Sequence, residues 1–392
     1  MSWPVHIILP AEPVQTIKWK RWGYTLFLLL FSIMVGSWLL RITKIVESDN
    51  ILNSMMPLTV ITIGGYLIAF ALRIYCYGIC LSAHDAYLYE QQVLQERWTQ
   101  WASKPLYIPA SHFFLPSQIA LSDIISGKSV DVAKGQALKL EVYDEIYTEE
   151  NLLNELLSSV RAEIKKLSSS HIFDVIFTCE ENYTSFPAFR ECWHFLGIDE
   201  KVLGRFHFYK DSHEDIYEHV LNAEDNRIFI IVSIRVDSYQ LSSADTTEYA
   251  SILLMTKKHF DMDKMKCSEI LRPMSCGKHS IENKFMHMRT YQPELLNSTR
   301  VFFSHLDQGD IVDVSDVLHK QLSSEENRWE FDAYDLNMVL GKLSGDHFWL
   351  VIALSLYFSE MKGESSFMVN KVGEQFVFNV IKPFDYHKES VN

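Results

Sequence analysis

The chain has 392 residues, of which 48 % are hydrophobic and 22 % charged, and its formal net charge is −14. These averages are typical of a globular protein and exclude a collagen-like or largely disordered chain. Residues 1–82 carry six basic and three acidic side chains, whereas the remainder carries 30 basic and 47 acidic ones. Because an acidic body repels phosphate backbones, we expect no nucleic-acid partner.

Two apolar segments near the N-terminus predict a transmembrane hairpin. Residues 22–40 contain no charged side chain, and 19 helical residues span roughly 30 Å, the thickness of the bilayer hydrocarbon. Residues 56–72 form a second uncharged run that ends before Arg73, whose side chain can reach the headgroups. A cleaved signal peptide and buried core helices are the alternative interpretations of these segments.

The orientation of the hairpin is predicted from the basic residues beside it. Lys18, Lys20 and Arg21 precede the first span, whereas the connection between the spans holds Arg41 and Lys44, offset by two acids. The positive-inside rule favours a cytoplasmic N-terminus by a narrow margin, and two spans return the chain to the same side. We therefore expect the acidic body to face the cytoplasm.

A helix is predicted to follow the hairpin over residues 83–102. Tyr87, Leu94, Trp98 and Trp101 lie at helical spacing along one stripe, which either packs on the body or lies at the headgroups; packing on the body is favoured. Prolines at 105, 109 and 116 are expected to break regular structure after it. The predicted domains are an N-terminal segment 1–21, a hairpin 22–82, a linker helix 83–104 and a soluble domain 105–392.

Strand and helix patterns alternate through the soluble domain. The predicted strands are 138–142, 172–178, 206–209, 228–236, 251–255, 301–303, 367–369 and 376–381, and the predicted helices are 148–167, 188–196, 212–221, 312–322, 332–343 and 348–361. Thr148 and Ser212 are candidate N-caps, and the last two strands are predicted to form a hairpin at the sheet edge. The pattern favours a layered α/β fold with a mixed sheet, without sequence repeats.

The motifs of common cofactor and metal sites are missing. The sequence has no Walker A, GxGxxG or GxSxG pattern. His213 and His219 are six residues apart and cannot face one metal from a single helical turn. A second group, Cys267, Cys276, His279 and His287, has no common zinc spacing, and the six cysteines suggest a reducing compartment rather than a disulfide framework. We expect neither a cofactor nor a metal.

Several segments of the body resemble the thiolase-like fold of β-ketoacyl synthases. Residues 229–239 (FIIVSIRVDSY) and 251–257 (SILLMTK) are similar to a central strand ending in an acidic-Ser turn and to its neighbour. Residues 303–310 (FSHLDQGD) look like the strand end that presents the first catalytic histidine of that family. Residues 342–347 (KLSGDH) are similar to the Lys-containing segment that presents the second.

This resemblance implies that His305 and His347 form an oxyanion and decarboxylation site supported by Lys342. It also implies a cysteine nucleophile at residues 208–212, where the sequence reads FYKDS. These five residues include no cysteine, so the resemblance implies the fold of the family but not its reaction. The alternative roles of the histidines are structural: a strand-end residue with local hydrogen bonds for His305, and a helix-start residue for His347.

The membrane hairpin with a divergent thiolase-like body also looks like the type VI lipase adaptor family of bacterial secretion systems. The similarity rests on this architecture and on residues 96–102 (ERWTQWA) followed by a proline-rich entry. It implies a non-catalytic membrane-anchored adaptor or chaperone that binds a protein partner, namely type VI secretion cargo. The alternatives are a membrane-bound acyl-thioester enzyme and a membrane sensor or defence protein.

Overall fold

The computed structural model describes residues 3–5, 9–42, 48–119, 121, 133–142, 145–146, 149–179, 185–209, 213–236, 246–258, 267–322, 331–344 and 347–383. Both predicted N-caps, Thr148 and Ser212, lie outside these residues, as do parts of two of the four resembling segments, at 237–239 and 345–346. The chain divides into two compact units. One comprises Met1–Val5 and Trp98–Asn392, called the body below, and the other comprises His6–Arg97.

The His6–Arg97 unit is built from helix α1 (Trp19–Ile42) and most of helix α2 (Ser48–Ala102). The ring of Trp22 contacts those of Tyr66 and Phe70, and the Tyr66 hydroxyl donates a 2.8 Å hydrogen bond to the Trp22 carbonyl. Both helices are long and apolar enough to cross a membrane. Their apolar stretches are 0 % buried within the described part of the protein. The hairpin and the predicted linker helix are one continuous element, because α2 runs unbroken to Ala102.

The body contains thirteen short strands and eight helices among the described residues. The strands are β1 (Leu106–Phe114), β2 (Glu141–Val142), β3 (Glu145–Ile146), β4 (Ile172–Phe177), β5 (Leu203–Phe208), β6 (Arg227–Arg235), β7 (Tyr249–Thr256), β8 (Ser268–Ile270), β9 (Met274–Gly277), β10 (Ser298–Ser304), β11 (Asp332–Asp335), β12 (Ser365–Val372) and β13 (Gln375–Lys382). The helices are α3 (Glu149–Ser159), α4 (Arg161–Leu167), α5 (Ser185–Phe195), α6 (His213–Asn222), α7 (Ile281–Tyr291), α8 (Gln308–Leu322), α9 (Leu336–Leu340) and α10 (Phe348–Lys362).

One strand topology occurs twice in the sheet. The order runs β11-β10-β12-β13-β8-β1-β7-β6-β4-β5. In the first half, β4 pairs in parallel with β5 and β6, and β6 pairs antiparallel with β7. In the second half, β10 pairs in parallel with β11 and β12, and β12 pairs antiparallel with β13. The body is therefore a duplicated α/β unit, although its sequence shows no repeat.

The period-two alternation of the strands divides the side chains among three cores. In β6, Ile228 and Ile230 join an outer core with α3, α4 and α5, whereas Phe229 and Ile231 face a central core that contains α6 and α10. In the second half, outward-facing residues such as Phe367 join another outer core with α7 and α8. The layers therefore run helix, sheet, helix, sheet, helix, and the predicted layered α/β class with a mixed sheet is confirmed.

Helix α10 is buried around its whole circumference. Eleven of its fifteen residues are buried, among them consecutive residues from Phe348 to Leu356. Such a helix has no solvent face, so it must be covered on every side by other elements. The helix ends at Gly363, whose left-handed backbone (φ 68°) lets its N–H cap the Ser359 carbonyl.

Several predicted elements differ from the structure. Residues 332–335 form the edge strand β11 rather than helix, because they pair with β10, and α9 has only five residues. The predicted helix 148–167 is interrupted at Val160, and the predicted strand 138–142 is reduced to β2. Strand β1 was not predicted, since it contains Pro109, which lies at a shift in register between Tyr107 and Ala110.

The predicted closing hairpin is present but does not form an edge of the sheet. Strand β13 pairs with β8 and β9 as well as with β12, so that β11 and β5 end the sheet. Strands β8 and β9 and helix α7 were also not predicted. These short segments obtain their hydrogen-bond partners from distant parts of the chain, which a local pattern does not reveal.

We predict that Leu350→Ala, in the middle of α10, lowers the free energy of unfolding by about 2–5 kcal/mol, because the cavity is enclosed on all sides. The matched control is Met361→Ala on the same helix, where the side chain is 59 % exposed, and its effect should stay within about 0.5 kcal/mol. Urea unfolding of the detergent-solubilised chain measures both. Equal effects of the two substitutions would show that α10 is not enclosed.

Candidate functional site

The structure brings His305 and His347 together at one end of the second half-sheet. His305 directly follows β10, and His347 directly precedes α10. Their ring centroids are 5.2 Å apart, with the ring planes tilted by 48°. His305 lies in the wall of an open cleft, whereas His347 is completely buried.

His305 adopts a left-handed backbone conformation (φ 59°), the one such non-glycine residue among those described. A side chain in this conformation costs roughly 1–2 kcal/mol, so it needs support from its surroundings. Asn337 of α9 supplies that support: its Oδ1 accepts from the His305 N–H at 2.9 Å, and its Nδ2 donates to the Leu306 carbonyl at 3.0 Å. Asn337 therefore sets the direction in which His305 leaves the strand.

The hydrogen bonds of His347 determine its tautomer. Its Nδ1 contacts the carbonyl oxygen of Ser344, which can only accept, so Nδ1 carries the proton. Its Nε2 is then the acceptor in the 2.8 Å hydrogen bond with the Ser304 hydroxyl. Both ring nitrogens are occupied by groups of the protein itself, and the ring links the end of β10 to the start of α10.

Both histidines favour the neutral form. Burial, reinforced by the neighbouring His305, lowers the pKa of His347 to about 4. Partial desolvation and the nearby Lys371 ammonium also lower the pKa of His305. Two neutral imidazoles therefore lie side by side at neutral pH, one internal and one facing the cleft.

A buried polar side chain adjoins this pair on the neighbouring strand. Asn370 of β12 is paired in register with Ser304 and is completely buried. A hydrogen bond between the Asn370 side chain and His347 raises the pKa of His347 against the larger, opposing effect of burial. Sequence reasoning missed Ser304, Asn337 and Asn370; the polar Asn370 directly after the apolar run 367–369 was the available signal.

The cleft beside His305 has a volume of about 680 Å³ and mixed charge. Its charged lining residues are Lys134, Asp307, Asp335, Lys342, Lys371 and Glu374. Lys342 thus lies in the same cleft as His305; its backbone bonds to Gln136 and Thr247. The preceding Gly341 has a positive φ of 74°, and a Cβ there would lie 2.3 Å from the Gln136 carbonyl oxygen, so this wall requires glycine.

Lys371 is held at the cleft by a buried carboxylate. Asp310 in the first turn of α8 is 2 % exposed and accepts hydrogen bonds from Lys371 at 2.6 Å and from Lys278 at 3.0 Å. These two ammonium groups lower the pKa of Asp310 against the opposing effect of burial. The ionised Asp310 therefore fixes one wall of the cleft.

The position at which the resemblance implies a nucleophile is the start of α6. By the duplicated topology, α6 occupies in the first half the place that α10 occupies in the second. The preceding residues 210–212 lie outside the described residues, and the sequence has no cysteine between Phe208 and His213. Cys192 points into the outer core, on the opposite face of the sheet, and burial raises the pKa of its thiol.

No metal centre is formed by the side chains that the structure describes: they contain no group of three or more His, Cys, Asp or Glu residues suited to an ion. Within that part of the chain, His219 contacts the rings of His207 and Phe229. Cys276 and His287 are buried, and burial raises the pKa of the Cys276 thiol to about 11.

No family model matches the chain, and no curated protein matches it. It is similar to the solved structure of Xanthomonas campestris OleA with cerulenin bound, at 8 % identity and a TM-score of 0.47, over 73 % of this chain and 98 % of that one. It is also similar to the ChlB3 acyltransferase (12 % identity, TM-score 0.43, 71 % and 98 % covered). A third similar structure is AbyA1, a tetronic acid condensing enzyme, at 10 % identity and a TM-score of 0.43, over 70 % of this chain and 99 % of that one.

We predict that His347 makes the body less stable as the pH falls. The unfolded chain binds a proton at this histidine near its ordinary pKa of 6.5, whereas the folded chain resists protonation until about pH 4. Stability is therefore complete above pH 6.5 and decreases towards pH 4, by a total on the order of 3 kcal/mol.

The non-titrating variant His347→Asn offers an amide donor towards Ser344 and an amide acceptor towards Ser304, and its stability should vary less with pH. Urea unfolding of the whole chain between pH 4.5 and 7.5 measures the difference. His194→Asn, at an exposed position on α5, is the matched control and should parallel the wild type. If the unfolding free energies of wild type and His347→Asn changed in parallel with pH, the low pKa of His347 in the folded chain would be contradicted.

Proposed function

We propose that this chain is a non-catalytic, membrane-anchored adaptor whose body binds a protein partner. The observation that carries the proposal is the state of His347. A condensing enzyme needs an N–H donor aimed at the substrate carbonyl. Here the Nε2 of His347 accepts a hydrogen bond from Ser304, and both residues are completely buried.

The same contact argues against a serine nucleophile. A hydroxyl bonded to an imidazole is the arrangement of an activated serine. Ser304 and His347 are each 0 % exposed, so no substrate carbonyl reaches the hydroxyl. Together with the missing cysteine before α6, this supports a thiolase-like body that has kept the layers of a condensing enzyme without its reaction.

The anchor and the partner complete the proposal. The two unburied apolar helices support an integral membrane protein, and the basic residues at the start of α1 support a body in the bacterial cytoplasm. The resemblance of the sequence to the type VI lipase adaptor family supports secretion cargo as the partner. The cleft beside His305 is the surface on which we place the contact.

Co-purification tests this proposal. The full chain is extracted in detergent from cells that also express type VI toxin and spike proteins, and the cargo should elute with it. His305→Trp, which places a bulky ring in the cleft, should abolish co-elution, whereas His194→Trp at an exposed site of α5 should leave it intact. A chain that purifies alone whenever cargo is present would refute the adaptor function.

A second candidate function is binding of an acyl thioester. The observation in its favour is the cleft itself, because about 680 Å³ beside His305 is the volume of an ordinary small-molecule site. Calorimetric titration with a medium-chain acyl-coenzyme A, and with coenzyme A as a separate arm, tests it. His305→Ala should weaken binding of the acyl form at least tenfold, and His194→Ala should not; absence of saturable binding to the wild type would exclude this candidate.

A further inference from the structure

Residues 3 and 5 belong to the core of the body. Trp3 and Val5 are each 2 % exposed and join the outer core formed by α7, α8 and the second half-sheet. The indole Nε1 of Trp3 donates a 2.8 Å hydrogen bond to the Pro273 carbonyl, and Lys284 donates to the Trp3 carbonyl at 3.4 Å. We call residues 3–5 the N-terminal strap.

The end of α2 enters the same core beside the strap. The rings of Trp3 and Trp101 meet edge to face, with centroids 5.7 Å apart. The Arg272 guanidinium lies 4.0 Å from the centre of the Trp101 ring and pairs with Glu218 of α6. The adjoining backbone is held by Gln292, whose fully buried amide donates to the Ala102 carbonyl at 2.6 Å.

We infer that this tryptophan-lined joint fixes the membrane topology of the chain. The residues that precede the His6–Arg97 unit and those that follow it are built into one core, so they lie on the same side of the membrane. The apolar hairpin between them then crosses an even number of times. This inference rests on the proposed membrane anchor and is independent of the small charge bias around α1.

The order of synthesis adds a consequence. The partners of Trp3, at Pro273 and Lys284, are made some 270 residues after it, so the strap seats only once the body folds. Residues 3–5 therefore remain on the side where the body folds.

The first test is the thermal stability of the full chain in detergent, followed by circular dichroism. Trp3→Ala should lower the Tm of the body by on the order of 10 °C, because it empties a buried aromatic site. Trp3→Phe retains a ring but loses the Nε1 hydrogen bond and should lower Tm less. Trp19→Ala is the matched control, since that indole is 62 % exposed and lies in the other unit. Equal Tm values for Trp3→Ala and Trp19→Ala would refute the inference that the seating of Trp3 stabilises the body.

The second test is labelling with a membrane-impermeant maleimide in right-side-out and inverted vesicles. Leu9→Cys and Phe195→Cys, at positions 73 % and 77 % exposed, should react from one common side. Asp49→Cys, between the two apolar stretches, should react from the other. Changing Lys18, Lys20 and Arg21 to glutamate should leave Leu9→Cys and Phe195→Cys on a common side.

Failure of the joint and failure of the membrane anchor give different labelling patterns. Labelling of Leu9→Cys and Phe195→Cys from opposite sides would overturn the joint while leaving the membrane anchor intact. Labelling of all three sites from one side would refute the anchor, and with it the topology inferred here, while the Tm comparison would still report on the strap.

Discussion

The complete burial of helix α10 is the constraint on which the body depends. A helix that is apolar on every face requires cover from all directions. That cover comes from the inner faces of two half-sheets and from α6, so the sheet must bend around the central layer. The outer faces of the same strands then need their own helices, which produces the five layers. Because the strand order is duplicated, each half of the sheet supplies one inner face and one outer face.

The candidate site lies at the N-terminus of that helix. Polar side chains buried at this position need hydrogen-bond partners within the protein. His347, Ser304 and the Ser344 carbonyl form a closed set of hydrogen bonds at this end. The resulting neutral imidazole joins strand and helix rather than facing a substrate.

His305 remains the side chain that faces outward at this end. Its left-handed backbone, secured by Asn337, turns the ring into the cleft instead of into the core. The cleft combines lysines and carboxylates with little net charge, which suits recognition of a polar surface better than capture of a strongly charged ion. The remainder of the body is acidic, so its charge repels anionic surfaces.

The sequence by itself determined the apolar hairpin, the acidic body, the alternating α/β class and the candidacy of His305, Lys342 and His347, because uncharged runs, period-two strands and short motifs are local properties. It did not determine β1, β11 or the interior place of β13, since these depend on partners far along the chain. The tautomer of His347 and the seating of Trp3 depend on contacts with Ser304 and Pro273 that only the fold creates. Tertiary structure therefore decided what the histidines can do, because hydrogen-bond partners and burial are properties of the assembled core.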